Sequence, residues 1–207
     1  MAPSPTNRRS FFRTLAGGAA AAGIGSAAGA QEERPRTTVD RRTLGRTGAD
    51  VSILGLGLGS AYFRPHGKDP ETAHALLRRA LKHGVTYWDT ARAYGNSEEL
   101  IGPVVKTVRD RIFLVSKSGN RTYDGFRRDL EKSLRHLQTD TIDLYHIHNL
   151  NPKRDGDLDA VEKGAVAAAR RAKDEGLIRF FGITGHSGPD ILVRAIKQWE
   201  PDAVLTT

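Results

Sequence analysis

The 207-residue chain is 38% hydrophobic and 27% charged, which suits one globular domain and lies outside the disordered range. Its formal net charge is +8. Arg8, Arg9 and Arg13 stand in an acid-free leader, leaving 29 basic against 24 acidic residues, or +5, in the rest. These charges are intermixed, with no basic block interleaved with aromatics, so no nucleic-acid partner is expected. Cysteine is absent, which excludes disulfides, thiolate zinc sites and cysteine nucleophiles from these residues.

Residues 1–30 carry paired arginines, two phenylalanines, a weakly apolar Ala/Gly run and the small-x-small pattern Ala28-Gly29-Ala30. This looks like a twin-arginine export signal, with a membrane contacted only in transit and a periplasmic or extracellular destination; an unused signal would leave the protein cytoplasmic. The apolar run Leu15 to Ala30 is too short, and too broken by glycines, for a membrane anchor. Residues 31–42 read as a polar tether, and 43–207 as the folded domain.

In that domain Val51 to Leu58 reads as a first strand, preceded by the turn Arg46-Thr47-Gly48-Ala49. Its GLGLGS ending lacks the third glycine of a dinucleotide-binding turn; the glycines are expected to permit close backbone packing at a barrel mouth. Pro70 to His83 has apolar residues at helical spacing. Val85 to Trp88 is a strand ending on Asp89, followed by a helix over Ser97 to Val108. The alternation continues with a strand over Arg111 to Lys117, a helix over Tyr123 to Leu137, a strand over Thr141 to His148 and an alanine-rich helix over Asp159 to Glu175. A strand over Ile178 to Thr184, a helix around Ile191 to Gln198 and a strand from Asp202 onward complete six strands. Strands joined by crossover helices pair in parallel, and their even spacing predicts an α/β fold of the barrel type.

Alternate strand residues share a face, so Asp89, Lys117 and His148 fall at inward final positions of successive strands, with Tyr94 in the loop above. Free tyrosine, with a pKa of about 10, is a poor donor at neutral pH. A lysine cation beside it is expected to lower that pKa, with Asp89 holding the lysine charged. Such a phenol can protonate a carbonyl oxygen as hydride reaches the carbon. Asp143, pointing the other way from His148, is expected to serve the fold. His146 shares a face with His148, and the pair admits a second reading as a metal-dependent barrel hydrolase. A third reading keeps the barrel as a non-catalytic, cofactor-sensing or interaction subunit.

From about Arg42 onward the sequence resembles the aldo/keto reductase family. RRTLGRTGADVSILGLGLG looks like its opening segment, GVTYWDTARAYGNSEELIG and LRHLQTDTIDLYHIH like its two best-known motifs, and GLIRFFGIT like the segment around its fifth strand. The resemblance implies a (β/α)8 TIM barrel, of which this chain would form an incomplete barrel of about six strand-helix units. It implies NADPH as hydride donor, with NADH as the alternative, and a small aldehyde or ketone as substrate. It also implies a catalytic tetrad of Tyr94, Lys117, Asp89 and His148, with tyrosine as acid, lysine and aspartate tuning it and histidine orienting the carbonyl. Asp89 and Thr184 would also face the cofactor. Where the family has a Ser-Asn pair, this chain has Thr184-Gly185, which keeps a hydroxyl and loses an amide. The chain stops within its sixth strand, so it is expected to be part of a longer parent and inactive alone.

Overall fold

The computed structural model describes residues 38–186 and 188–206. The leader, and the tether as far as residue 37, lie outside the described residues. Two antiparallel strands, β1 (Arg41–Thr43) and β2 (Asp50–Ser52), come first, joined by a 3-10 turn at Gly45–Thr47 and by Gly48 in the left-handed region. Arg41 ties them with Nε 2.6 Å from Asp50 Oδ2. Arg41 and Arg42, assigned by sequence to the tether, are therefore strand residues.

β3 (Gly55–Gly57) then opens a six-stranded parallel sheet with β4 (Tyr87–Asp89), β5 (Phe113–Ser118), β6 (Ile142–Ile147), β7 (Ile178–Gly185) and β8 (Ala203–Thr206), paired in that order. The expected single strand Val51 to Leu58 is thus two strands in two sheets. The break follows from Ser52, whose Oγ accepts from the backbone N–H of Thr86 (2.9 Å) and Tyr87 (3.1 Å) and donates to Leu54 O (2.7 Å), bending the chain at Ile53 and Leu54.

Helices cover one face of the sheet. α1 (Ser60–His66) precedes α2 (Pro70–Lys82), which starts at Asp69, whose side chain accepts from Thr72 N, with Pro70 in the first turn where no N–H is needed. α3 (Ser97–Val108) and α4 (Tyr123–Leu137) follow, α4 capped by Thr122 accepting from Gly125 N. After the short α5 (Pro152–Asp155), α6 (Leu158–Val161) runs through a π turn at Glu162–Val166 into α7 (Ala167–Asp174), and α8 (Pro189–Trp199) leads to β8. The core between helices and sheet holds Leu77, Trp88, Ile101, Leu130, Tyr145 and Ile183; Ala168, Ala169 and Ala172 let α7 lie close.

A second, smaller cluster sits on the concave side, where Ala49 and Val51 of the hairpin meet Phe113, Val115 and Leu144. These are early or middle strand positions, so the hairpin plugs the floor and leaves the carboxyl ends of the strands open. The architecture is that of an incomplete (β/α)8 barrel, with β3 and β8 paired on one side only among the described residues.

Candidate active site

The predicted residues meet at the open end. β4 finishes on Asp89, β5 carries Lys117 at its penultimate position, and His148 directly follows β6, its N–H donating to Ser118 O at 2.8 Å. The loop after β4 stays in register, with Thr90 N donating to Val115 O (2.9 Å) and Arg92 N to Lys117 O (3.0 Å). Thr90 Oγ1 donates to Ser97 Oγ (3.0 Å), which donates to Leu58 O (2.7 Å), so the loop bearing Tyr94 is tied at both ends to the sheet. Gly95 is left-handed (φ +55°) and packs on Phe63, whose ring would lie 2.7 Å from any Cβ there. Of the GLGLGS glycines, Gly59 lies against the Tyr94 ring while Gly57 faces open space.

Lys117 Nζ donates to Asp89 Oδ1 at 2.5 Å and to Thr90 O at 2.8 Å. It also lies 5.1 Å from the centre of the Tyr94 ring, and that ring meets His148 edge to face at 5.6 Å between centres and 85° between planes. The four sequence-predicted catalytic residues therefore form one connected cluster, from Asp89 through Lys117 and Tyr94 to His148. Burial pushes Asp89 up and Lys117 down, and their attraction opposes both shifts. Burial, then the Lys117 charge, hold His148 at about 4 instead of 6.5, a neutral imidazole at ordinary pH.

The expected lowering of the Tyr94 pKa is not found. Burial raises it, and the Asp89 carboxylate raises it further. Lys117 does not offset this, because its charge is paired with Asp89.

Thr184 ends up buried at the end of β7, where its Oγ1 accepts from Asn149 N at 2.7 Å, leaving the hydroxyl hydrogen to donate elsewhere. At Gly185 a Cβ would lie 3.0 Å from Leu192 and 3.3 Å from the Leu150 carbonyl oxygen, so a larger residue would be crowded. Asp89 Oδ2 is buried with no partner and can accept a hydrogen bond. One orphan carboxylate oxygen and one available hydroxyl at the strand ends fit a polar cofactor edge.

His146 is the register partner of Lys117 and lies buried beneath the mouth, against Gly182, both ring nitrogens unpartnered. Burial drives its pKa far down. Among the described residues no three His, Asp or Glu side chains are grouped to hold a metal ion. Asp143 serves the fold as expected: it is buried, accepts from Leu114 N (2.8 Å) and pairs with Arg109 (2.8 Å) and Arg179 (2.6 Å).

Sequence reasoning passed over Glu98. This buried carboxylate accepts from Ser116 Oγ at 2.6 Å and pairs with Arg92, joining the Tyr94 loop to β5. The signal lay in the motif GNSEELIG, but acids in a first helical turn ordinarily read as partners of the helix dipole.

With this arrangement in hand, comparison with known proteins is decisive, because residues 54–206 match the Aldo/keto reductase family. The chain belongs to that family. This aldo/keto reductase is 31% identical over 172 residues to the uncharacterized oxidoreductase YqkF of Bacillus subtilis, spanning 76% of the chain and 52% of the relative. It is 35% identical over 164 residues to L-galactose dehydrogenase of Arabidopsis thaliana, spanning 72% and 49%. The chain thus spans about half the length of the curated relatives it matches. Among solved structures it is similar to the holo form of aldo-keto reductase AKR11C1 from Bacillus halodurans, with a TM-score of 0.71 and 29% identity over 82% of this chain and 57% of that one. An aldo/keto reductase from Klebsiella pneumoniae in complex with NADP and acetate gives a TM-score of 0.62 and 32% identity over 79% and 54%.

Proposed function

We propose that the whole protein is an NADPH-dependent oxidoreductase that reduces an aldehyde or ketone, with Tyr94 as the acid. The observation that carries this reading is the Tyr94–Lys117–Asp89–His148 cluster at the strand ends. Family membership and the NADP-bound relative support the choice of cofactor. Asp89 Oδ2 and Thr184 Oγ1 would hold the nicotinamide end. The cofactor, when bound, supplies hydride to the carbonyl carbon.

The chain's own residues do the rest. Tyr94, kept protonated by burial, donates to the carbonyl oxygen and gives up its proton as negative charge builds there. His148, neutral and edge-on to the phenol, donates a second hydrogen bond that orients the same oxygen. Lys117, fixed by Asp89 and Thr90, faces the phenolate left behind. Solvent then restores the phenol.

The test is steady-state oxidation of NADPH with 4-nitrobenzaldehyde by wild type and Tyr94→Phe. Loss of a general acid should lower kcat by about 10²–10⁴-fold. An unchanged rate refutes Tyr94 as the acid, and a wild type that neither binds NADPH nor reduces a broad carbonyl panel sinks the enzyme reading. Export through residues 1–30 belongs to the same proposal, supported by Arg8-Arg9 and Ala28-Gly29-Ala30. Replacing both arginines by lysine should keep the protein inside the cell.

A further inference from the structure

The loop after β6 ends in an anchor that the tetrad does not use. Asp155, the last residue of α5, has a side chain with 0% exposure, yet its carboxylate receives five hydrogen bonds. Oδ1 accepts from Arg121 Nε (2.8 Å) and Arg154 Nε (3.1 Å); Oδ2 accepts from Arg121 Nη2 (3.1 Å), Arg154 Nη2 (3.0 Å) and Asn151 N (2.9 Å). Both guanidiniums then reach on to the same place. Arg121 Nη2 donates to His148 O (2.9 Å) and Asn149 O (3.3 Å), and Arg154 Nη2 donates to Asn149 O (2.6 Å).

What they grip is a constrained turn. Asn149, next to His148, has φ +56°, the left-handed conformation that asparagine accepts more readily than most side chains. Its N–H is held by Thr184 Oγ1, so the turn is fixed on both sides of the peptide. Arg121 is itself anchored from behind. The π turn leaves Ala165 N donating to Arg121 O at 2.8 Å, and Gly164 lies so close that a Cβ would be 2.1 Å from that oxygen.

Two guanidiniums this close repel unless a carboxylate lies between them. Asp155 supplies it: burial alone would raise its pKa, but the bonds from Arg121, Arg154 and Asn151 hold it at about 2. We propose that Asp155 is a positioning residue for His148, acting through Arg121 and Arg154, which clamp the His148–Asn149 turn so that the imidazole stands against Tyr94. This rests on the reading of His148 as the group that orients the carbonyl. A plain helix staple would satisfy α5 and stop there; these arms end on the two carbonyls that aim the histidine.

The experiment compares wild type, Asp155→Asn and Arg154→Gln by two independent readouts. The first is the NMR shift of the His148 ring protons, displaced in wild type by the edge-to-face Tyr94 ring; the signals are assigned by their loss in His148→Asn and the displacement by its loss in Tyr94→Leu. The second is kcat/KM for 4-nitrobenzaldehyde with NADPH. Both variants should lose the ring-current displacement and about tenfold or more in kcat/KM, since small misplacements of an orienting group are costly. Arg154→Lys should recover little, because it restores the charge and not the fork. The Arg154 side chain is 50% exposed, so Arg154→Gln should melt within about 2 °C of wild type and carries the test if Asp155→Asn does not fold. Folded variants with wild-type His148 shifts and kcat/KM within about twofold of wild type would overturn the clamp. A wild type that reduces no carbonyl removes the catalytic reading, and the His148 shifts then decide the clamp alone.

Discussion

Replacing Lys117 by methionine keeps most of the volume and removes the charge that faces Asp89. In the native structure the Lys117 side chain is 1% exposed and that of Asp89 18% exposed, so the variant strands a largely buried carboxylate whose second oxygen already lacks a partner. The penalty has a ceiling, because the carboxylate can escape by taking up a proton. Referred to an unfolded aspartate of pKa about 3.9, that escape costs about 1.4 kcal/mol per pH unit, or about 4 kcal/mol at pH 7 and about 1.5 kcal/mol at pH 5. Losing the bond to Thr90 O adds a further pH-independent cost of about 1.5–3 kcal/mol. The sign follows from the partners. Burial raises the Asp89 pKa and Lys117 opposes it, so removing Lys117 moves the folded value further up, and the wild-type advantage is full above the variant's pKa and shrinks as pH falls from there toward the wild-type value. Urea unfolding of both proteins at pH 5, 6 and 7 should show the stability gap narrowing by up to about 2.7 kcal/mol across that range. A gap that stays constant with pH would show that Asp89 is not held by this ion pair.

A second test concerns His148, whose Cε1 proton should titrate with a midpoint near the value of about 4 set by burial and the Lys117 charge. The folded pKa lies below the unfolded one, so the neutral ring's contribution to stability is present above pH 6.5 and is lost as the pH falls to about 4. A midpoint at 6 or above would place the ring in water, away from Tyr94. Gly182→Ala probes the floor of the site: a Cβ there would lie 2.5 Å from His146 Nδ1 and 2.7 Å from Ala203 O. Backbone cannot yield cheaply, so overpacking should cost about 1–3 kcal/mol and lower the melting temperature by roughly 3–10 °C. No loss of stability would mean that β7 and β8 are less tightly apposed.

The readable parts of the fold were those fixed locally. α4 runs from Tyr123 to Leu137, as its periodicity predicts, because Thr122 caps it and its apolar side faces the sheet. α3 likewise starts at Ser97 and ends at Val108. What failed was non-local. Nothing in VSILGLGL signals a break, since the bonds that bend it join Ser52 to Thr86 and Tyr87, 34 and 35 residues away. α1 was missed because its seven residues contain Pro65 and lie between glycines, leaving no period to see. The site divides the same way. Four tetrad positions were legible because three mark strand ends and the fourth follows one of them in the same motif. The Arg121–Asp155 pair spans 34 residues, and neither residue stands out in composition.

The tyrosine's proton is where local reasoning and the folded structure part most usefully. A lysine near a phenol suggests a strengthened acid, but the charge that would do the strengthening is committed to Asp89 before any substrate arrives. The resting phenol is therefore held protonated by burial. In the proposed reaction its acidity matters only when hydride transfer builds charge on a carbonyl oxygen, which makes that oxygen a far stronger base than a phenolate. In that proposal the phenolate would form beside an ammonium that lies 5.1 Å from the ring centre, is already in place and needs no reorganisation. In the proposed reaction Lys117 thus acts on the phenol through the charge that builds in the transition state, and stabilisation of that kind is what accelerates a reaction.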